Sequence, residues 1–205
     1  MKKEQAVQEK KEVQQQIILP MLKTKVFKVF LVGDTPLISH RFGEKARKQM
    51  LDKQMKRAKQ AREAKNPKKD FEDSLYKHPE GGYGFPAIAF KAAAVNACSH
   101  VDGITKVTAR GAFHIPVELV KINGKPVMRE DVVRIDMGRT ADIRFRGEFK
   151  KWSCEVPVVY NTNVISDEQI VNLFNTAGFA TGIGEWRPQK NGNFGMFHVR
   201  IDGKE

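Results

Sequence analysis

Gly182-Ile183-Gly184-Glu185-Trp186-Arg187-Pro188-Gln189-Lys190-Asn191-Gly192-Asn193-Phe194-Gly195-Met196-Phe197-His198-Val199 runs a glycine-rich loop straight into a short apolar strand, Phe194 to Ile201. Glycines let a backbone turn sharply and approach a ligand closely. Trp186 and Arg187 can stack on a planar base, and Arg187 or Lys190 can pair with phosphate. The loop suits a nucleic-acid surface better than a catalytic pocket, with Trp186 capping the core and Arg187 solvated as the less favoured alternative.

Upstream, Lys25 to Val32 reads KVFKVFLV, a buried first strand that stops at Gly33-Asp34-Thr35-Pro36. From Arg41 to Lys69 there are twelve Lys or Arg against Glu44, Asp52 and Glu63. Its middle, Glu44 to Ala64, has helical composition with a thin apolar stripe of Met50, Leu51 and Met55, so this helix must mostly stand in solvent. Pro67 ends it, and residues 66–84 read as loop with a Gly81-Gly82 turn. Residues 34–85 are thus expected as a basic excursion inserted after the first strand.

Phe85-Pro86-Ala87 opens a compact helix reaching about Val101. Phe113 to Ile122, Asn123-Gly124 and Lys125 to Met128 predict a hairpin, the Asn-Gly pair supplying its turn. Two further β runs cover residues 141–149 and 152–160. Ser166 with Gln169 forms a capping box for a helix whose apolar face is Ile170, Leu173 and Phe174, limited by Gly178. With the excursion set aside, the plan is α+β, a ferredoxin-like, RRM-like βαββαβ core with a basic helical insertion and an extra β-hairpin. The expected organisation is a polar arm over residues 1–24 and one domain over 25–205.

The 205 residues carry a formal charge of +12, which favours a polyanionic partner, nucleic acid foremost, with a solvated basic face as the alternative. Cys98 and Cys154 have no CxxC spacing and read as buried thiols in a reducing compartment. No apolar run reaches membrane-spanning length, and a cytoplasmic location with no membrane partner is expected. His40, His78, His100, His114 and His198 lack metal-ligand spacing. There is no GxxxxGK[ST] loop, and Gly182-Ile183-Gly184 lacks the rest of a dinucleotide fingerprint, so no cofactor or metal is expected. Asp131, Asp136 and Asp142 read as ion-pair partners.

The helix start Phe85-Pro86-Ala87-Ile88-Ala89-Phe90-Lys91-Ala92-Ala93, the glycine loop from Gly182 to Gly195 and the insertion after the first strand resemble the RAMP superfamily. These are the RNA-recognition-motif-like proteins that form the backbones of CRISPR effector complexes. Lys91-Ala92 stands where Lys-Gly is commoner in that family. The resemblance implies a non-enzymatic subunit that oligomerises or forms a filament along single-stranded RNA or DNA, with other effector-complex subunits as partners. It also implies that an Asp after the first strand, here Asp34, could cut RNA; the same Asp sits in an ordinary turn. A phage single-stranded DNA-binding or annealing protein, a metal-dependent ribonuclease using Asp34, and a protein whose basic helix binds an acidic partner are the alternatives.

The candidate nucleic-acid-binding residues fall into groups. His40, Arg41, Phe42, Lys45, Lys48 and Arg57 belong to the excursion. Lys91 lies in the Ala-rich helix, where a cation near the N-terminus favours an anionic neighbour. Arg129, Arg134, Arg139, Arg144 and Arg146 recur through the β region, where alternation predicts one cationic and one apolar sheet face. Trp186, Arg187 and Lys190 complete the set.

Overall fold

The computed structural model describes residues 19–57, 64–135 and 140–200. It is a mixed α/β structure of antiparallel sheets with five helices among the described residues. The first strand forms as its Val/Phe content predicts, β1 (Thr24–Gly33). β2 (Leu37–Ser39) follows at once, before the basic helix α1 (Glu44–Gln54). Then come α2 (Pro67–Asp73), β3 (Tyr76–Lys77), β4 (Tyr83–Pro86), α3 (Ala87–Ala97), α4 (Lys106–Ala112), β5 (Phe113–His114) and β6 (Leu119–Asn123). β7 (Pro126–Ile135), β8 (Thr140–Phe149), β9 (Ser153–Asn161), α5 (Asp167–Thr176) and β10 (Phe197–Val199) complete the order.

The larger sheet runs β10-β1-β9-β6-β4-β3, with β5 also paired to β9; the smaller runs β2-β8-β7. Alternation along β1 and β9 sends Val29, Leu31, Cys154, Val156, Val158 and Tyr160 into the core shared with α3 and α5. Ala87, Ala93, Ala94 and Ala97 let α3 approach this sheet closely, as small residues must if a helix is to lie near a strand backbone. α5 starts on the expected capping box: the Ser166 hydroxyl accepts from Gln169 N and the Gln169 side chain accepts from Ser166 N. No helix among the described residues is long and apolar enough to cross a membrane. Cys98 and Cys154 are both buried and free, and burial pushes both thiols up.

Several expectations are corrected. Asn123-Gly124 is not a hairpin turn: β6 stays in the larger sheet with β4 and β9, while β7 leaves it to pair with β8. Gly124 is needed because a Cβ there would sit 2.6 Å from the Lys151 carbonyl oxygen. The long hairpin is β7–β8. Pro67 opens α2 rather than ending a helix, with Asn66 capping Lys69 N, and residues 66–84 hold α2, β3 and the first half of β4 instead of a loop. The Gly81-Gly82 turn is present, at φ values of 89° and 79°. α1 stands free as predicted, with Met50, Leu51 and Met55 all more than half exposed.

Gly178 does not stop α5, which continues as a wider π turn through Ala177–Thr181 to Gly182 at φ 64°. A Cβ at Gly178 would overlap the Phe197 carbonyl of β10. Gly178→Ala should therefore destabilise the fold by about 1–3 kcal/mol in urea denaturation. Gly111→Ala, on α4 with nothing near its Cβ position, should instead stabilise by about 0.5–1 kcal/mol. Equal effects at the two glycines would contradict this packing.

Candidate nucleic-acid interface

The glycine loop is built by its own backbone and by β2. Ile183 N donates to Gly195 O at 2.9 Å, and Phe194 N to Trp186 O at 3.0 Å. Gly195 N donates to Pro36 O and Glu185 N to Ile38 O, at 2.8 and 3.1 Å, fastening the loop along β2. A Cβ at Gly184 would stand 2.6 Å from Ile38 O, so glycine serves the close approach to β2 here. Trp186 sits at φ 55°, a left-handed conformation unfavourable for a bulky residue, and its ring remains 41% exposed. Arg187 is held by the loop itself, donating to Gly184 O and Gln189 Oε1. Lys190 is exposed on the short 3-10 turn Pro188–Lys190.

This fastening brings His40 beside Glu185. His40 Nδ1 lies 3.3 Å from Glu185 Oε1, and that contact, with help from the charges of Arg146 and Arg187, holds the Glu185 carboxyl below its ordinary range against the effect of burial. Tyr76 feels both Arg41 and Glu185, and burial raises its hydroxyl. Phe42, which follows Arg41, is half exposed.

Beyond Arg41 opens a cleft of about 800 Å³, lined by Arg41, Tyr76 and Lys77 on one side and by Pro86, Ile88, Lys91 and His114 on another. The start of α3, Pro86 to Ile88, also lines it; no side chain caps this helix, and the Ala87 N–H donates to the Glu118 carbonyl at 3.0 Å. Lys91 Nζ donates to His114 Nδ1 at 3.0 Å and lies 5.9 Å from the Phe113 ring centroid. Partial burial lowers the Lys91 ammonium pKa, a cost that an anion in the cleft would offset. Three long cations and an imidazole line the cleft at the start of a helix, with Glu118 as the one carboxylate in the lining, so its field favours an anion.

Other predicted residues lie elsewhere. Lys48 and Arg57 are exposed on and just after α1, Arg57 paired with Asp52 at 3.3 Å; the Lys45 side chain and Arg139 lie outside the described residues. The expectation of a cationic face on the β7–β8 sheet is corrected. Arg129 and Arg146 are directly opposite in register, and Asp131 bridges them, accepting from Arg129 at 2.8 Å and from Arg146 at 3.0 Å. Arg146 is 3% exposed, and Arg129 also binds Glu148 and stacks on Phe194 at 4.7 Å. Arg144 pairs with Asp142, which Lys65 also engages, lowering that carboxyl's pKa; Arg134 is exposed further along β7. Asp34 lies 2.6 Å from His198 Nδ1, both side chains exposed. Tyr76, Lys77 and His114 were not singled out for binding in the sequence; the only signal was their closeness to the Gly81-Gly82 turn and to Phe113.

Replacing His40 with Ala should raise the Glu185 pKa toward the ordinary carboxylate range. Because the folded pKa is depressed, this group's stabilisation is present above the unfolded value and lost as pH falls through the folded one. The variant should accordingly lose less stability on acidification than the parent. Carbon-detected NMR titration of the Glu185 carboxyl checks the shift, and an unmoved titration would contradict the contact.

No family model and no curated protein matches the chain. Among solved structures it is similar to Cmr6 from Pyrococcus furiosus, at 10% identity and a TM-score of 0.45, over 88% of this chain and 100% of that one. It is also similar to a chain of the type III-B Cmr-beta complex bound to cognate target RNA, at 11% identity and a TM-score of 0.45, over 87% of this chain and 60% of that one.

Proposed function

We propose that this protein is a non-enzymatic single-stranded nucleic-acid-binding protein that assembles side by side along its ligand. The observation that carries the reading is the cleft where Arg41, Lys77, Lys91 and His114 gather at the start of α3 with a single carboxylate, Glu118, among them. A polyphosphate backbone fits that lining, and the net charge of +12 supplies long-range attraction to it. Trp186 and Phe42, both exposed, offer faces on which unpaired bases can stack. The strand order β10-β1-β9 followed by β6, with α3 and α5 as the two helices, supports reading the core as ferredoxin-like βαββαβ. The ligand is RNA or DNA, the surface chemistry being common to both.

A second reading has one observation behind it. Asp34 and His198 form an exposed carboxylate–imidazole pair with the reach for proton transfer. RNA cleavage lost in Asp34→Ala would place the protein among ribonucleases, and RNA left intact after long incubation with magnesium would remove that reading.

For binding, Arg41→Ala with Lys91→Ala should reduce the slope of log affinity against log salt by about 0.7 for each phosphate no longer neutralised. Trp186→Ala should cost about 1–3 kcal/mol for a short single strand, with little change in that slope. Fluorescence anisotropy on labelled oligonucleotides reads both. A folded double variant with an unchanged slope would overturn the cleft assignment.

A further inference from the structure

The apolar segment Ile17-Ile18-Leu19-Pro20-Met21-Leu22 interrupts an otherwise polar N-terminal arm. Its described side chains stand in solvent, Leu19 at 81%, Met21 at 78% and Leu22 at 66% exposed. The backbone beneath them is nevertheless fixed: Asn163 Nδ2 donates to Met21 O, and Thr162 N to Lys23 O, both at 2.9 Å. Holding apolar side chains in water on an anchored backbone is unfavourable unless something covers them.

A second feature lacks an occupant too. Between the α3–α4 connection and α5 lies a pocket of about 330 Å³, its apolar lining made by Val101, Ile104, Val164, Ile165 and Leu173. Asp102 in its lining is exposed and acidic, as are Asp167 and Glu168 in the first α5 turn, with Lys106 at the start of α4 as the nearby cation. Such a rim repels nucleic acid and attracts a basic peptide. The arm has that character, with its apolar side chains followed by Lys23 and Lys25 and preceded by Lys10 and Lys11. In the structure the described arm side chains do not enter their own pocket, although it begins at Val164, next to the anchor at Asn163.

We infer that the apolar arm segment of one copy seats in the Val101–Leu173 pocket of a second copy. Knob and hole are different surfaces, so the contact is heterologous and repeats from copy to copy, giving an open row or a ring. This deepens the side-by-side assembly proposed above and rests on it for its use, yet it is testable without any nucleic acid.

The test is size-exclusion light scattering on nucleic-acid-free full-length protein over a range of concentrations. The parent should gain mass with concentration, whereas Leu19→Asp/Met21→Asp/Leu22→Asp and Val164→Arg should each remain monomeric. Val164 is 46% exposed, so Arg is tolerated there, and circular dichroism checks both folds. An equal mixture of the two variants should form a heterodimer and nothing larger, because one intact arm faces one intact pocket. A parent that stays monomeric, variants that assemble like the parent, or a mixture that fails to pair would overturn the inference. Binding of an oligonucleotide too short for two copies should be equal in parent and variants; its absence in all would count against nucleic-acid binding and leave the assembly result standing.

Discussion

The short backbone Pro36–Ile38 is hydrogen-bonded along both edges, and the arrangement of the rest depends on it. On one edge Leu37–Ser39 pairs with β8; on the other, the Pro36 and Ile38 carbonyls accept from Gly195 and Glu185. Buried backbone carbonyls need partners, so a segment between two sheets must find them on both sides. Trp152 adds a third tie, its indole donating to Thr35 O at 2.9 Å, and Gly33 leaves the room that ring occupies. The glycine loop is thereby carried to the start of the basic segment, where Glu185 meets His40.

The cations divide according to whether carboxylates already hold them. Arg129 and Arg146 oppose each other across β7 and β8, a repulsive placement that Asp131 and Glu148 turn into a bonded network. Lys28, Lys65 and Arg144 are likewise paired with Glu155 or Asp142. Around the cleft the balance differs: Arg41, Lys77 and Lys91 face it with Glu118 alone opposing them. Burial disfavours the Lys91 ammonium, which has no carboxylate partner and lies in the first turns of α3, so an anion beside it would relieve that cost.

Local signals were legible in the sequence where the physics is local. The Val/Phe run of β1, the capping box of α5, the Gly81-Gly82 turn and the solvent-standing α1 each follow from a few adjacent residues. Partnership was not. Asn123-Gly124 has hairpin chemistry, but the carbonyl of Lys151 decides its role, and alternation in β8 does not reveal that Asp131 waits on the neighbouring strand for Arg146. Of the candidate site, His40, Arg41, Lys91 and Trp186 were recognisable from residue type, whereas Tyr76, Lys77 and His114 join them only through pairing of β3 with β4 and of β5 with β9.

Ultraviolet crosslinking of the intact protein to a short single strand, followed by peptide mass mapping, tests the central claim most directly. Crosslinks concentrated on the peptides carrying Tyr76, Lys91, His114 and Trp186 are the predicted result. Crosslinks confined to the open sheet face around Phe30, or to the β7–β8 hairpin, would contradict the assignment of the cleft.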